Sequence, residues 1–219
     1  MNARPLSPAD EDPPGVPDAA LVRRLSQILA ASPLVSDALA RLQRFRPESL
    51  WLGAGAICDT VWNAAHGFDP AHGIVDLDIV YFDPGLTPDD DARVAAEVTG
   101  LVEHLGVWAD VKNQANVHLW YPTRFGSAIP PYASLEDAVA TWPTTAGAIA
   151  VRPTDEGLAV AAPFGLNDLF GLVLRANRVQ APRWWYERKC ARWHAEWPAL
   201  RILDWDDGIG EAGARLIQP

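Results

Sequence analysis

In the stretch GIVDLDIVYFDP, residues 73–84, Asp76 and Asp78 interrupt a run of β-branched and aromatic residues. Side chains two apart on a strand share a face, so these carboxylates are predicted to project together while Val75, Leu77 and Ile79 fill the opposite side. Carboxylates held that close repel each other and resist desolvation unless something positive sits between them. Asp110 stands in the next predicted strand, flanked by Ala109 and Val111, which face the other way. If the two strands are neighbours, three carboxylates converge with open positions. That is a donor set for Mg2+ or Mn2+, hard cations that favour carboxylate, water and phosphate oxygen. A pair of such ions can activate an attacking hydroxyl and stabilise a leaving phosphate.

Upstream, LWLGAGAICDTVW puts a short strand before Gly53, Ala54 and Gly55 and a helix after them. Such a turn leaves backbone N–H groups at the positive end of a helix, and its small residues let a phosphate come close. By itself a small-residue turn is more often a tight connection, and a D-x-D pair more often a turn, a cap or a solvated ladder. The order of turn, helix, D-x-D strand and later acid says more than either part.

The other polar candidates have plainer readings. Lys112 follows Asp110 and reads equally as a phosphate contact or a solvated strand-end lysine. Asn113 and Gln114 read first as turn and edge residues and second as substrate contacts. His118, near Trp120 and Tyr121, reads as a hydrogen-bonded, half-buried histidine before it reads as a base. His66, Asp69 and His72 fit no helix face or zinc spacing and are assigned to a loop. Asp83 precedes Pro84 and closes the strand into a turn. Asp59 takes a surface or helix-packing role, and Asp168 and Arg175 read first as a structural pair and second as groups reaching the pocket. The tryptophans at 184, 185, 193 and 197 are read as packing, with base stacking as the alternative.

The elements that must position these residues are partly written in the pattern. Leu21, Leu25, Ile28 and Leu29 recur at helical spacing after Asp18, and a second helix is expected over 35–44. Strands are predicted at 49–52, 74–82 and 107–111, with a helix over 54–66. Between the last two strands, Thr87, Pro88 and three aspartates open a helix that Gly106 closes. Further on, Ser134 caps a short helix, 148–152 and 157–161 form a hairpin, Asn167 caps a helix in GLNDLFGLVL, and a tryptophan-rich helix spans 183–196. Strands alternating with helices predict an α+β (α/β-like) domain, a small mixed sheet flanked by helices with a more helical C-terminal part. The division expected is a tail at 1–17, a core with N-terminal helices at 18–145, a hairpin and helical part at 146–205, and a tail at 206–219.

With 219 residues, 49% of them apolar and 21% charged, the chain can bury a full core. A net charge of −10 argues against broad nucleic-acid binding, which needs a basic surface. Two cysteines, Cys58 and Cys190, make neither a disulfide framework nor a thiolate metal site. No apolar run approaches the roughly 20 residues of a membrane span, and the N-terminus lacks the pattern of a secretory signal. A cytoplasmic location is the expectation.

The motif order resembles the polymerase-β-like nucleotidyltransferase superfamily, and more closely a bacterial family of predicted nucleotidyltransferases of unassigned substrate. The resemblance lies in GAGAICDTVWN, DLDIVYFD, DVKNQANVHLWY, APFGLNDLFGLVLR and ERKCARWHAEWP, across roughly residues 46–200. It implies a polymerase-β-type core in which Asp76 and Asp78 bind metal and Asp110 is the third acid, helping to deprotonate an acceptor hydroxyl. Ala54 and Gly55, with Gly53, would hold the triphosphate through backbone amides, and Lys112, Asn113, Gln114 and His118 would fall on the family's substrate-facing run. Two departures stand out: no serine follows the glycine, and Arg192 occupies a position where lysine is expected. The implied activity is transfer of an NMP group from an NTP to the hydroxyl of a small-molecule or protein acceptor, a polynucleotide being disfavoured by charge. An inactive nucleotide-binding or regulatory protein of the same fold is the alternative.

Overall fold

Helix α1 (Ala19–Ala31) begins where the leucine spacing sets in, its first turn capped by the Asp18 carboxylate, and α2 (Pro33–Phe45) follows after Ser32. In the computed structural model, which describes residues 17–45 and 49–210, these helices lie against one face of a five-stranded sheet. Strand β1 (Trp51–Gly53) runs directly into α3 (Ala54–His66). Strand β2 (Asp76–Tyr81) is joined to β3 (Trp108–Asn113) through α4 (Pro88–Val102) and a short 3-10 turn. The start of α4 is a capping box: Thr87 accepts from the Asp90 amide and the Asp90 carboxylate accepts from the Thr87 amide. The hairpin β4 (Ala150–Thr154) and β5 (Gly157–Ala161) completes the sheet, in the order β3-β2-β1-β4-β5 with only β2 and β3 parallel. This is the mixed α+β arrangement expected.

The sheet is two-sided, as the alternation predicts. Leu77, Ile79 and Tyr81 of β2 join Leu52, Val151 and the apolar stripes of α1 to α4 in the main core. On the other face Val80 packs with Ala150 and with Leu135 and Val139 of α6 (Leu135–Val139), which Ser134 caps. Between these lies α5 (Val117–Phe125), a helix its sequence does not announce. Its apolar residues form no clean stripe, and Pro122 sits inside it.

The C-terminal part departs from expectation in one stretch. GLNDLFGLVL holds a single helical turn, α7 (Asn167–Phe170), capped at Leu166 rather than Asn167. Gly171 weakens the helix, and Leu172 enters the left-handed region at φ +57, which ends it. Val173–Leu174 then form β6, paired in parallel with β7 (Arg201–Ile202). Helix α8 (Arg183–Glu196) lies between them in sequence. Its Trp193, with the following Trp197, is buried against Trp62 of α3, ring centroids 5.0 and 5.4 Å away, whereas Trp184 is 51% exposed. Arg175 does pair with Asp168, as the sequence suggests. Of the expected tails, residues 1–16 and 211–219 lie outside the described residues; in the described part of the C-terminal one, Asp206 and Asp207 end a short 3-10 turn and Ile209 forms a bridge to Asn177. No helix among the described residues is long and apolar enough to cross a membrane.

A buried polar knot fixes β3 against α4. The Asp91 carboxylate accepts from the Tyr81 hydroxyl (2.8 Å), Asn113 (2.9 Å) and Asn116 (2.7 Å). Asn113 also donates to the Asp83 carbonyl and accepts from the amides of Asp83 and Ala115. Leaving such groups unpaired costs about 1–3 kcal/mol. Asn113→Ala is therefore expected to lower the unfolding free energy in urea by about that amount. A change below a few tenths of a kcal/mol would show that the knot does not hold the strand.

Candidate active site

Parallel pairing places Asp78 directly opposite Asp110, and Lys112 opposite Val80, on the sheet face away from the main core. Asp76 stands two residues before Asp78 on the same face. Antiparallel pairing on the other side puts Gly53 opposite Asp78, so the β1–α3 turn arrives beside the acids. The register of three strands thus gathers Asp76, Asp78, Asp110, Lys112 and the Gly53–Gly55 turn.

The turn is built around close approach. A Cβ on Gly53 would lie 2.7 Å from the Trp142 ring, so any other residue there would have to displace that ring. Ala54 holds φ +38, a left-handed conformation that costs a residue with a Cβ about 1–3 kcal/mol and gathers at functional sites. Its N–H is committed to the Ile149 carbonyl at 2.9 Å. The Gly55 N–H points to Asp78 Oδ2 at 3.4 Å, and a Cβ on Gly55 would stand within 3.8 Å of carboxylate oxygens of both Asp76 and Asp78. The two carboxylates therefore face the first turn of α3. The Asp110 carboxylate is bonded to the Lys112 ammonium. Among the described residues no three His, Cys, Asp or Glu side chains close on one point as a metal site would require.

The electrostatics are those of a site short of positive charge. Burial pushes the Asp78 carboxyl above its ordinary value; Asp76 and Asp110 add to the rise, while Lys189 and Lys112 oppose it. Asp59, expected at a surface or a helix contact, is only 5% exposed and is raised well above the usual range, first by burial. Its carboxylate is drawn down by Arg192 and Lys189 of α8 and pushed up by Asp76 and Asp78. The sequence offered one signal for it, a carboxylate on the inward side of an otherwise apolar helix. Both thiols are buried, and burial raises Cys58 and takes Cys190 to about 11, so neither offers a thiolate near neutrality.

Asp78 and Asp110 border a cleft of about 220 Å3. Asp78, Asp110, Lys112 and Gln114 line its sheet side. Trp120, Tyr121, Arg124 and Phe125 of α5 and Trp185 and Lys189 of α8 line the far wall. Tyr132 and Gln180 bond each other across that wall, and Tyr132 also bonds Thr141. Of the substrate-facing run Lys112 and Gln114 reach the cleft. Asn113 turns to the opposite face, into the knot with Asp91, and His118 bonds the Ala115 carbonyl through Nδ1 at 2.9 Å. The aromatic wall and Lys189 are the cleft residues that sequence reasoning did not place, because α5 carries no clear pattern and the α8 tryptophans read as packing.

Residues 40–202 match a family model described as nucleotidyltransferase. A solved structure described as an NMR structure that "reveals a CCA-adding enzyme head domain" is similar in fold, with a TM-score of 0.66 at 19% identity, covering 83% of this chain and 95% of that one. Among proteins of curated function, none matches the chain in sequence.

A carboxyl whose folded-state value is raised binds its proton more tightly in the folded protein. Its contribution to stability is full below the ordinary carboxylate value and is lost as pH rises through the folded one. Asp78→Asn is therefore expected to raise the melting temperature of chelator-treated protein at pH 7.5, with the gain vanishing below about pH 4. Thermal melts across pH check this, and a variant less stable than wild type at pH 7.5 would overturn it.

Proposed function

The chain belongs to the nucleotidyltransferase family, and we propose that it transfers an NMP group from an NTP to an acceptor hydroxyl with release of pyrophosphate. The observation that carries this reading is the Asp78–Asp110 register, with Asp76 beside it and the Gly55 amide at its edge. The donors are oxygens only and crowd one another in a part-buried setting, which fits Mg2+ or Mn2+. Asp76 and Asp78 would hold the ion, and Asp110 would join them on parting from Lys112. When bound, the ion supplies Lewis-acid stabilisation of charge on the phosphate and on the leaving pyrophosphate.

The chain's own residues do the rest. Asp110 takes the proton of the acceptor hydroxyl as the new O–P bond forms at the α-phosphate. The bond from the α-phosphorus to the bridging oxygen breaks, and pyrophosphate leaves with its electron pair. Lys112, released from Asp110, and the Gly55 N–H meet phosphate oxygens. Gly53 and Ala54 contribute by shape, holding the turn close to the acids. Gln114 contacts substrate, while Asn113 and His118 support the turn on which it sits. The cleft walls align donor and acceptor, and such positioning supplies much of the rate.

A net charge of −10 favours a small-molecule or protein acceptor over a polynucleotide. Likeness to a CCA-adding enzyme head domain makes an RNA acceptor the natural competitor. Free, buried cysteines and the absence of a membrane-length helix among the described residues support a cytoplasmic setting. A second reading, a nucleotide-binding protein without turnover, is favoured by the Lys112–Asp110 pair and by the absence of serine after Gly55.

Pyrophosphate release from each NTP with Mg2+, over small-molecule, protein and RNA acceptors, tests the assignment. Asp76→Asn is expected to reduce release by more than about 100-fold. Equal release from wild type and variant would sink it. NTP binding with no turnover on any acceptor would favour the second reading.

A further inference from the structure

Asp59 lies one helical turn beyond the Gly53–Gly55 turn, almost fully buried, and its Oδ1 has no hydrogen-bond partner. A buried carboxylate oxygen in that state is costly, and native proteins keep few of them without a purpose. The helix facing it is α8. Trp193 of α8 packs edge-on against Trp62, three residues after Asp59, and the Lys189 ammonium lies 4.6 Å from the Trp193 ring centroid. Lys189 and Arg192 are three apart on α8, share a face, and both act electrostatically on Asp59. They differ in reach. Lys189 lines the cleft and is the foremost positive influence on Asp78, whereas Arg192 is absent from the lining.

The cleft's cations are not equally available. Lys112 is bonded to Asp110, and Arg124 lies 5.6 and 5.5 Å from the Phe125 and Trp185 ring centroids, on the aromatic wall. Lys189 also lies over a ring, that of Trp193, and neither it nor Arg124 makes a hydrogen bond to a carboxylate among the described residues; of the two, Lys189 is the one among the leading charges felt by Asp78. A polyphosphate entering a cleft bordered by Asp78 and Asp110 needs a positive group that is not already neutralised at contact distance.

We propose that Lys189 binds the polyphosphate of the donor nucleotide, and that the buried Asp59 is a positioning residue that holds the Lys189 ammonium in the cleft. The assignment rests on the nucleotidyltransferase reading and adds to it a residue from the C-terminal helix. Lys189 is a direct ligand of anionic oxygen, and Asp59 acts only through Lys189. The Arg192 charge, in the motif where lysine was expected, shares the burden of neutralising Asp59 without entering the cleft.

Titration calorimetry with Mg2+–tripolyphosphate and with the Mg2+ complex of a nonhydrolysable ATP analogue tests this. Wild type should bind both. Lys189→Gln should weaken both by about 10- to 100-fold, as loss of a charge-assisted contact predicts. Lys189→Arg should restore binding to within about threefold, because it keeps the charge. Asp59→Asn should weaken both by about five- to tenfold while the protein stays folded by circular dichroism. Wild-type affinity for tripolyphosphate in both Lys189→Gln and Asp59→Asn would overturn the inference and leave the two residues a purely structural role. Failure of wild type to bind either probe would instead overturn the nucleotidyltransferase reading itself.

Discussion

Three carboxylates are held on one face of a sheet by strand register, and their mutual repulsion is the constraint the rest of the molecule answers to. Left free, like charges at this spacing would move apart or take up protons. Here they cannot separate, because β2 is bonded on both sides and its opposite face carries Leu77 and Ile79 into the core. Sliding the β2–β3 register by one residue would turn Asp110 into that core and Ala109 out of it. Hydrophobic burial behind the acids therefore fixes their geometry in front.

The same constraint explains why polar cross-links gather at the ends of β2 and β3. A parallel pair has slanted hydrogen bonds and no hairpin to set its register. The connection through α4 must do so, and the Asp91 knot with Tyr81, Asn113 and Asn116 joins that helix to the ends of both strands. Asn113, read as a turn residue or a substrate contact, is held in this knot three residues after Asp110. Its neighbour Gln114 faces the cleft because the chain leaves the strand there and changes direction.

What could be read in the sequence follows from where local chemistry agrees with tertiary demand. The D-x-D alternation, the Thr87 cap with its three aspartates and the leucine spacing of α1 each express a period that packing also uses, so the acid-bearing strands and their flanking helices were legible. The five motifs likewise carried the family, in agreement with the match over residues 40–202. Other parts were illegible for physical reasons. Helix α5 turns its aromatic residues to a cleft rather than to the core, and Pro122 disguises it further. Leu172 adopts a left-handed φ that no leucine signals, cutting an apparent helix to one turn. Asp59 could be read only as a surface or helix-packing acid, because its local sequence does not reveal that α8 brings Arg192 and Lys189 to bear on it.

The Lys112–Asp110 pair gives the crowded site a way to exist before any cation arrives. With both ends part-buried, the ammonium offsets charge that Asp78 and Asp76 would otherwise feel in full. Such a pair adds little net stability, since desolvation consumes most of its attraction. Its value lies in being exchangeable: an ammonium two residues along the same strand can leave the carboxylate for a phosphate without moving the backbone. Lys189 differs because it approaches from another helix and across a buried acid. One cation travels with the sheet and the other with the C-terminal helices, so relative motion of these parts would alter the charge of the cleft as well as its width.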